Sequence, residues 1–233
     1  MAVPPRLPLR PLRRLSPSAP MILTMRIDLL KTSPDRAGRY WITLEDGSKM
    51  GLYRQTVEDF ALYSGKELSD EEWKALKEHA GQMSAKMRAV RIVSASSISK
   101  KDLEQRLVRK GEDPRQAKEA VAWMEDLHLV DDRNTAEQVV HSCISKGYGL
   151  QRAKQALYEK RIPKEYWDEA LADYPDQMEI IVKFLHSRLD EESDDREVKR
   201  AIDALLRRGH SYRTIREALN MISLNSDEFM EEF

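Results

Sequence analysis

A chain of 233 residues is long enough for one ordinary domain and a small second one. Its 39 basic and 40 acidic side chains leave a net charge of −1, which gives no general case for coating nucleic acid. No stretch approaches the roughly 18 consecutive apolar residues of a membrane span, and a lone cysteine, Cys143, excludes an intramolecular disulfide and suits the reducing cytoplasm.

Charge is unevenly distributed. Residues 1–20 hold four arginines, six of the ten prolines and no acid; Pro4, Pro5, Pro8 and Pro11 would break the amphipathic helix of a transit peptide. This segment reads as a disordered tail or as translation from too early a start, with Met21 or Met25 the true one. Residues 21–80 carry 9 basic against 11 acidic side chains, residues 81–172 carry 17 against 14, and residues 173–233 carry 9 against 15. A basic middle and an acidic end suit one oriented partner.

Residues 21–80 read as a small strand-plus-helix module. Met21 to Leu30 and Arg39 to Leu44 are β-rich runs, and Glu45 to Ser48 supply a hairpin turn before a third run, Lys49 to Tyr53. Helices are predicted over 56–63 and 69–79, the second opened by a capping box of Ser69 and Glu72.

From about residue 82 the pattern is helical, and it repeats. Leu107, Leu157 and Leu205 are offset by 50 and then 48 residues, and so are Lys110, Lys160 and Arg208. In each copy an amphipathic helix ends on basic residues, which favour a helix C-terminus. Gly111 and Gly209 then supply a left-handed cap. A further helix follows each (114–127, 164–172, 211–222) and another precedes each (82–93, 133–146, 176–189). The spacing predicts three tandem three-helix repeats, 82–131, 132–174 and 175–224, stacked into an elongated curved array. An acidic tail, 225–233, ends the chain.

The densest motif lies in and before the second repeat: Val130, Asp131 and Asp132 ahead of a helix, then Lys146, Gly147, Gly149 and Arg152 after it. Carboxylates just before a helix accept its orphan N–H groups, so Asp131 and Asp132 read as caps. Gly147 and Gly149 follow a helix rather than a strand, so they read as a tight helix–helix turn and not a phosphate loop. With this motif the chain, over about 82–222, resembles the RecX family. It departs from the family at His128 and Leu129 (usually Gly-Tyr), Thr135 (usually aromatic), Arg161 (commonly Gly) and Ser96 (often Arg).

The resemblance implies a regulator of recombination and DNA repair, within the SOS response, that lies along the RecA–single-stranded-DNA filament and restrains it. It implies a monomer with no cofactor, and weak direct DNA binding alongside. The histidines are scattered and no nucleophile, paired-acid or metal-ligand constellation emerges, so no enzyme is expected. Arg106, Arg109, Lys110, Lys146, Arg152, Lys154, Lys160 and Arg161 form the candidate recognition surface. The competing readings are a helix-turn-helix DNA-binding regulator and a general helical scaffold. Against the first, no helix carries a dense Arg/Asn/Gln base-reading stripe.

Overall fold

The computed structural model describes residues 24–34, 38–190 and 193–222. The tail expected at 1–20 and the acidic tail expected at 225–233 lie outside the described residues. The protein is mainly helical with a small antiparallel sheet. It divides into two compact units, one ending at Ala80 and one beginning at Gly81.

The first unit is built on strands β1 (Thr24–Thr32), β2 (Arg39–Leu44), β3 (Lys49–Tyr53) and β4 (Glu67–Ser69), ordered β3-β2-β1-β4. The turn between β2 and β3 follows its sequence: Gly47 takes a φ of +80° and the Asp46 carboxylate accepts from the Ser48 N–H at 2.8 Å. Alternation then puts Ile42, Leu44 and Leu52 on the inner face with Ile27, Leu68 and Leu76. β4 was not foreseen from the sequence; three residues are too short to show a period, and pairing with β1 holds them.

Helix α1 (Arg54–Asp59) is earlier and shorter than the predicted 56–63. Its end is closed when the Leu62 N–H reaches back to the Val57 carbonyl and the Lys66 ammonium takes the Phe60 carbonyl at 2.5 Å. Ala61 sits at a φ of +44°. The two helices expected at 69–79 and 82–93 are one, α2 (Asp70–Ala95). The capping box is present, with Ser69 Oγ accepting from the Glu72 N–H and Glu72 Oε2 from the Ser69 N–H. Gly81 lies within this helix. A glycine inside a helix costs only about 1 kcal/mol, and no proline or capping group follows to stop the helix.

The second unit takes the rest of α2 and then α3 (Lys100–Arg109), α4 (Pro114–Asp126), α5 (Asp132–Ser145), α6 (Leu150–Glu159), α7 (Trp167–Ala170), α8 (Gln177–His186), α9 (Asp195–Arg207) and α10 (Tyr212–Met221). Side chains cap most of these starts: Ser99, Asp113, Asp131, Asp176, Asp194 and Ser211 each accept from the first-turn backbone. The helix expected over 164–172 is instead a tight 3-10 turn, Lys164–Tyr166, followed by the single turn of α7. The Tyr166 N–H bonds back to the Pro163 carbonyl, and the Trp167 indole donates to the Ile162 carbonyl at 3.0 Å.

Apolar side chains gather in three clusters in this unit. One joins α2, α3 and α4, a second α5, α6 and α7, and a third α8, α9 and α10. Leu107, Leu157 and Leu205 are fully buried, one in each cluster.

Candidate partner-binding groove

A groove of about 700 Å³ opens between the end of α2, α3, α5 and α6. Of the eight candidate cations, six line it: Arg106, Arg109, Lys146, Arg152, Lys160 and Arg161. Lys110 and Lys154 do not; both are exposed elsewhere. Two carboxylates share the lining, Asp102 and Glu159. The wall is therefore strongly positive in a chain of nearly balanced charge.

Asp102 and Glu159 were not singled out from the sequence, although Asp102 and Arg106 are spaced for a same-face pair on a helix. Asp102 meets Arg106 at 3.0 Å and, from the next cluster, Arg161 at 3.7 Å. Glu159 accepts from Gln155 and from Arg152 at 3.2 Å, and these bonds hold its carboxyl below the usual range. Arg109, Lys146 and Lys160 have no ion-pair partner among the described residues. They are the cations available to an incoming anion.

The backbone that aims these side chains uses left-handed residues at helix ends. Gly111 (φ +91°), Gly147 (φ +64°) and Gly209 (φ +85°) close α3, α5 and α9, and Arg161 (φ +58°) closes α6 without being glycine. That conformation is strained for a side chain with a Cβ. It projects the Arg161 guanidinium into the groove.

Gly149 serves otherwise. Its φ of −77° is ordinary, but a Cβ there would stand 2.2 Å from the Gly209 carbonyl oxygen. The Gly147–Gly149 turn lies against the end of α9: the Gly149 N–H donates to the Arg208 carbonyl at 2.8 Å, and His210 Nε2 meets the Gly147 carbonyl at 3.2 Å. His210 is buried, which pushes its pKa down. Arg208 stacks on the Phe184 ring at 4.8 Å. This contact fixes where α6 begins, and so where Arg152 stands.

The paired aspartates have separate roles. Asp131 caps α5, accepting from the Arg133 N–H at 2.8 Å. Asp132 is buried and accepts at 2.8 Å from the Lys100 N–H at the start of α3, capping a helix 32 residues back. Burial pushes its pKa up, opposed by that hydrogen bond. The Lys100 ammonium pairs with Glu125 at 2.7 Å, which raises its own pKa.

Cys143 lies in the groove wall, where burial raises its thiol pKa. Behind the wall the Tyr174 hydroxyl donates to the carbonyl of the lining residue Tyr148 at 2.8 Å, and burial pushes it up to about 12. Among the described residues no group of three or more His, Cys, Asp or Glu could hold a metal ion, and no helix is long and apolar enough to cross a membrane.

Residues 131–171 match the family model described as RecX, second three-helix domain. The chain is 25% identical over 215 residues to the Regulatory protein RecX of Clostridioides difficile, covering 90% of this chain and 99% of that one. To the Regulatory protein RecX of Chlorobaculum tepidum it is 30% identical over 142 residues, 60% of this chain and 88% of the other. A crystal structure of regulatory protein RecX superposes with a TM-score of 0.56 at 22% identity, over 83% of this chain and 99% of that one. These likenesses define a mainly helical regulatory protein. The chain belongs to the RecX family.

Proposed function

We propose that this chain is a non-catalytic, monomeric cytoplasmic regulator of recombination and DNA repair, acting in the SOS response. It docks on the RecA–single-stranded-DNA filament through the groove between α3, α5 and α6 and restrains filament growth. The observation that carries this reading is six guanidinium and ammonium groups against two carboxylates around one groove. A filament of acidic protein surface and phosphate is complementary to that wall.

In the same reading 82–131, 132–174 and 175–224 are three tandem three-helix repeats in an elongated, curved array, and 21–80 is a separate N-terminal module. The three apolar clusters, one to each set of consecutive helices, support it. A repeat array spanning several protomers multiplies weak contacts into avidity without a deep pocket.

The test is RecA's DNA-dependent ATPase and strand exchange with the protein titrated in, alongside copurification with RecA in the presence and absence of single-stranded DNA. Dose-dependent loss of both activities with filament-dependent copurification is expected. Unchanged RecA activity at saturating protein would overturn the proposal.

A further inference from the structure

The outer face of the N-terminal sheet gathers cations and aromatic rings. Directly opposed residues share a face, so the pairs Lys31–Trp41, Trp41–Gly51, Arg39–Tyr53 and Thr43–Lys49 place three cations and two aromatic rings on one side of β1, β2 and β3. That side faces away from Ile42 and Leu52, which are buried beneath it.

Trp41 stands on β2, between its neighbours β3 and β1, and is 47% exposed. An indole so uncovered on an inner strand is unusual for a ring that favours burial. It is held in place. A Cβ at Gly51 would stand 3.3 Å from the Trp41 ring, so the glycine gives the indole room to lie over the sheet. Beside it the Arg39 guanidinium stacks on Tyr53 at 3.9 Å.

Charge decides what the face suits. None of these opposed positions is acidic, nor is Leu29, which opposes Thr43 on the same side; Asp28, at the register shift in β1, pairs with Arg26 at 3.9 Å. A flat exposed indole flanked by cations on an antiparallel sheet, with the half-buried Tyr53 ring beside it already stacked by Arg39, matches an unpaired base joined to its neighbours by phosphates. A purely apolar partner would leave Lys31, Arg39 and Lys49 desolvated without counter-charge.

We propose that this face binds single-stranded nucleic acid, with Trp41 stacking on a base and Lys31 and Lys49 neutralising the flanking phosphates. The proposal is separate from the action on RecA, because its test needs no RecA.

The experiment measures fluorescence anisotropy of a labelled oligothymidylate and a labelled oligouridylate with the full-length protein. Trp41→Ala should weaken binding roughly tenfold or more on at least one of the two strands, the usual effect of removing a stacking ring, and Trp41→Phe should recover most of it. Lys31→Glu with Lys49→Glu should also weaken binding and flatten its salt dependence by about 1.4 logarithmic units per decade, two phosphate contacts' worth on a single strand. Unchanged affinity of Trp41→Ala for both strands, with a native circular-dichroism spectrum, would overturn it. So would a Trp41→Ala protein that loses RecA filaments but keeps naked strands, since the face would then dock protein.

Discussion

The Ser99 hydroxyl donates to the Lys160 carbonyl at 2.6 Å, joining the N-cap of α3 to the C-cap of α6. The same joint is made once more, where the N-cap of α6, Gly149, donates its N–H to the C-cap of α9, the Arg208 carbonyl. Here a hydroxyl and there a backbone amide do the same work. The second joint leaves no room for a side chain, because a Cβ at Gly149 would stand 2.2 Å from the Gly209 carbonyl oxygen. Ser99→Ala should therefore cost about 1 kcal/mol, the usual loss of a helix cap. Gly149→Ala should cost more, upward of about 2 kcal/mol, since its Cβ meets backbone that cannot swing aside. Urea denaturation of both variants checks the order; equal effects would mean the second joint is loose.

Leu107, Leu157 and Leu205 are each fully buried in a different cluster. Alanine at any of them removes methyl groups and leaves a cavity, so each should cost roughly 2–5 kcal/mol. Equilibrium denaturation of the three variants should give losses of similar size. Near-neutral effects at all three would refute the three-repeat proposal.

Arg161 sits in a left-handed conformation that glycine takes without strain. Arg161→Gly should raise stability by up to about 1 kcal/mol. The same change removes a groove cation, so it should weaken RecA inhibition. Melting temperature and ATPase inhibition measured on one preparation would expose the opposition. A variant that is less stable and equally inhibitory would mean Arg161 is held for packing alone.

These elements differ in how far sequence reveals them. β2 and β3 were placed correctly because a hairpin turn and strict alternation bracket them. The cap at Asp131 was legible because its carboxylate serves the helix that follows. Asp132 was misassigned because it caps a helix distant in sequence, and local patterning is blind to that. Six of the eight cations picked out in the first two repeats line one groove, although of the recurring positions Lys110, Lys160 and Arg208 only Lys160 does, and Asp102 and Glu159 were missed. Acidic residues on a Lys/Arg-rich helix carry no mark of which neighbour they will meet.

His210 supplies a pH dependence whose sign follows from its burial. Its folded pKa lies below the ordinary 6.5, so above that value the ring is neutral in both states and full stability is present. As pH falls below 6.5 the unfolded chain takes up a proton that the folded ring refuses, and stability declines until the folded pKa is reached. His210→Gln keeps a donor for the Gly147 carbonyl and should flatten this slope. Asp132, with its raised pKa, acts in the opposite direction at lower pH and is common to both proteins. Denaturant midpoints at pH 7.5, 6.0 and 5.0 for wild type and variant give the comparison. Parallel curves would show that His210 does not titrate differently on folding.

The groove itself is tested by choosing cations according to what already neutralises them. Arg109 and Lys146 line it without an ion-pair partner among the described residues, so Arg109→Glu with Lys146→Glu should reverse the wall where an anion would settle. Inhibition of RecA should fall tenfold or more with the helical circular-dichroism signal intact. Arg152→Glu should also weaken inhibition, and it would set two carboxylates against each other where Arg152 now pairs with Glu159. Lys154→Glu, outside the groove lining, should have little effect, as should Arg207→Glu on the exposed end of α9. Arg208 is unsuitable as a control because it stacks on Phe184. Binding should weaken with added salt, less steeply than for a protein held by phosphates alone. Naked single strands should bind more weakly than RecA-coated ones. If Lys154→Glu proved as damaging as the Arg109 and Lys146 pair, the recognition surface would lie on the exposed flank of α6 and not in the groove.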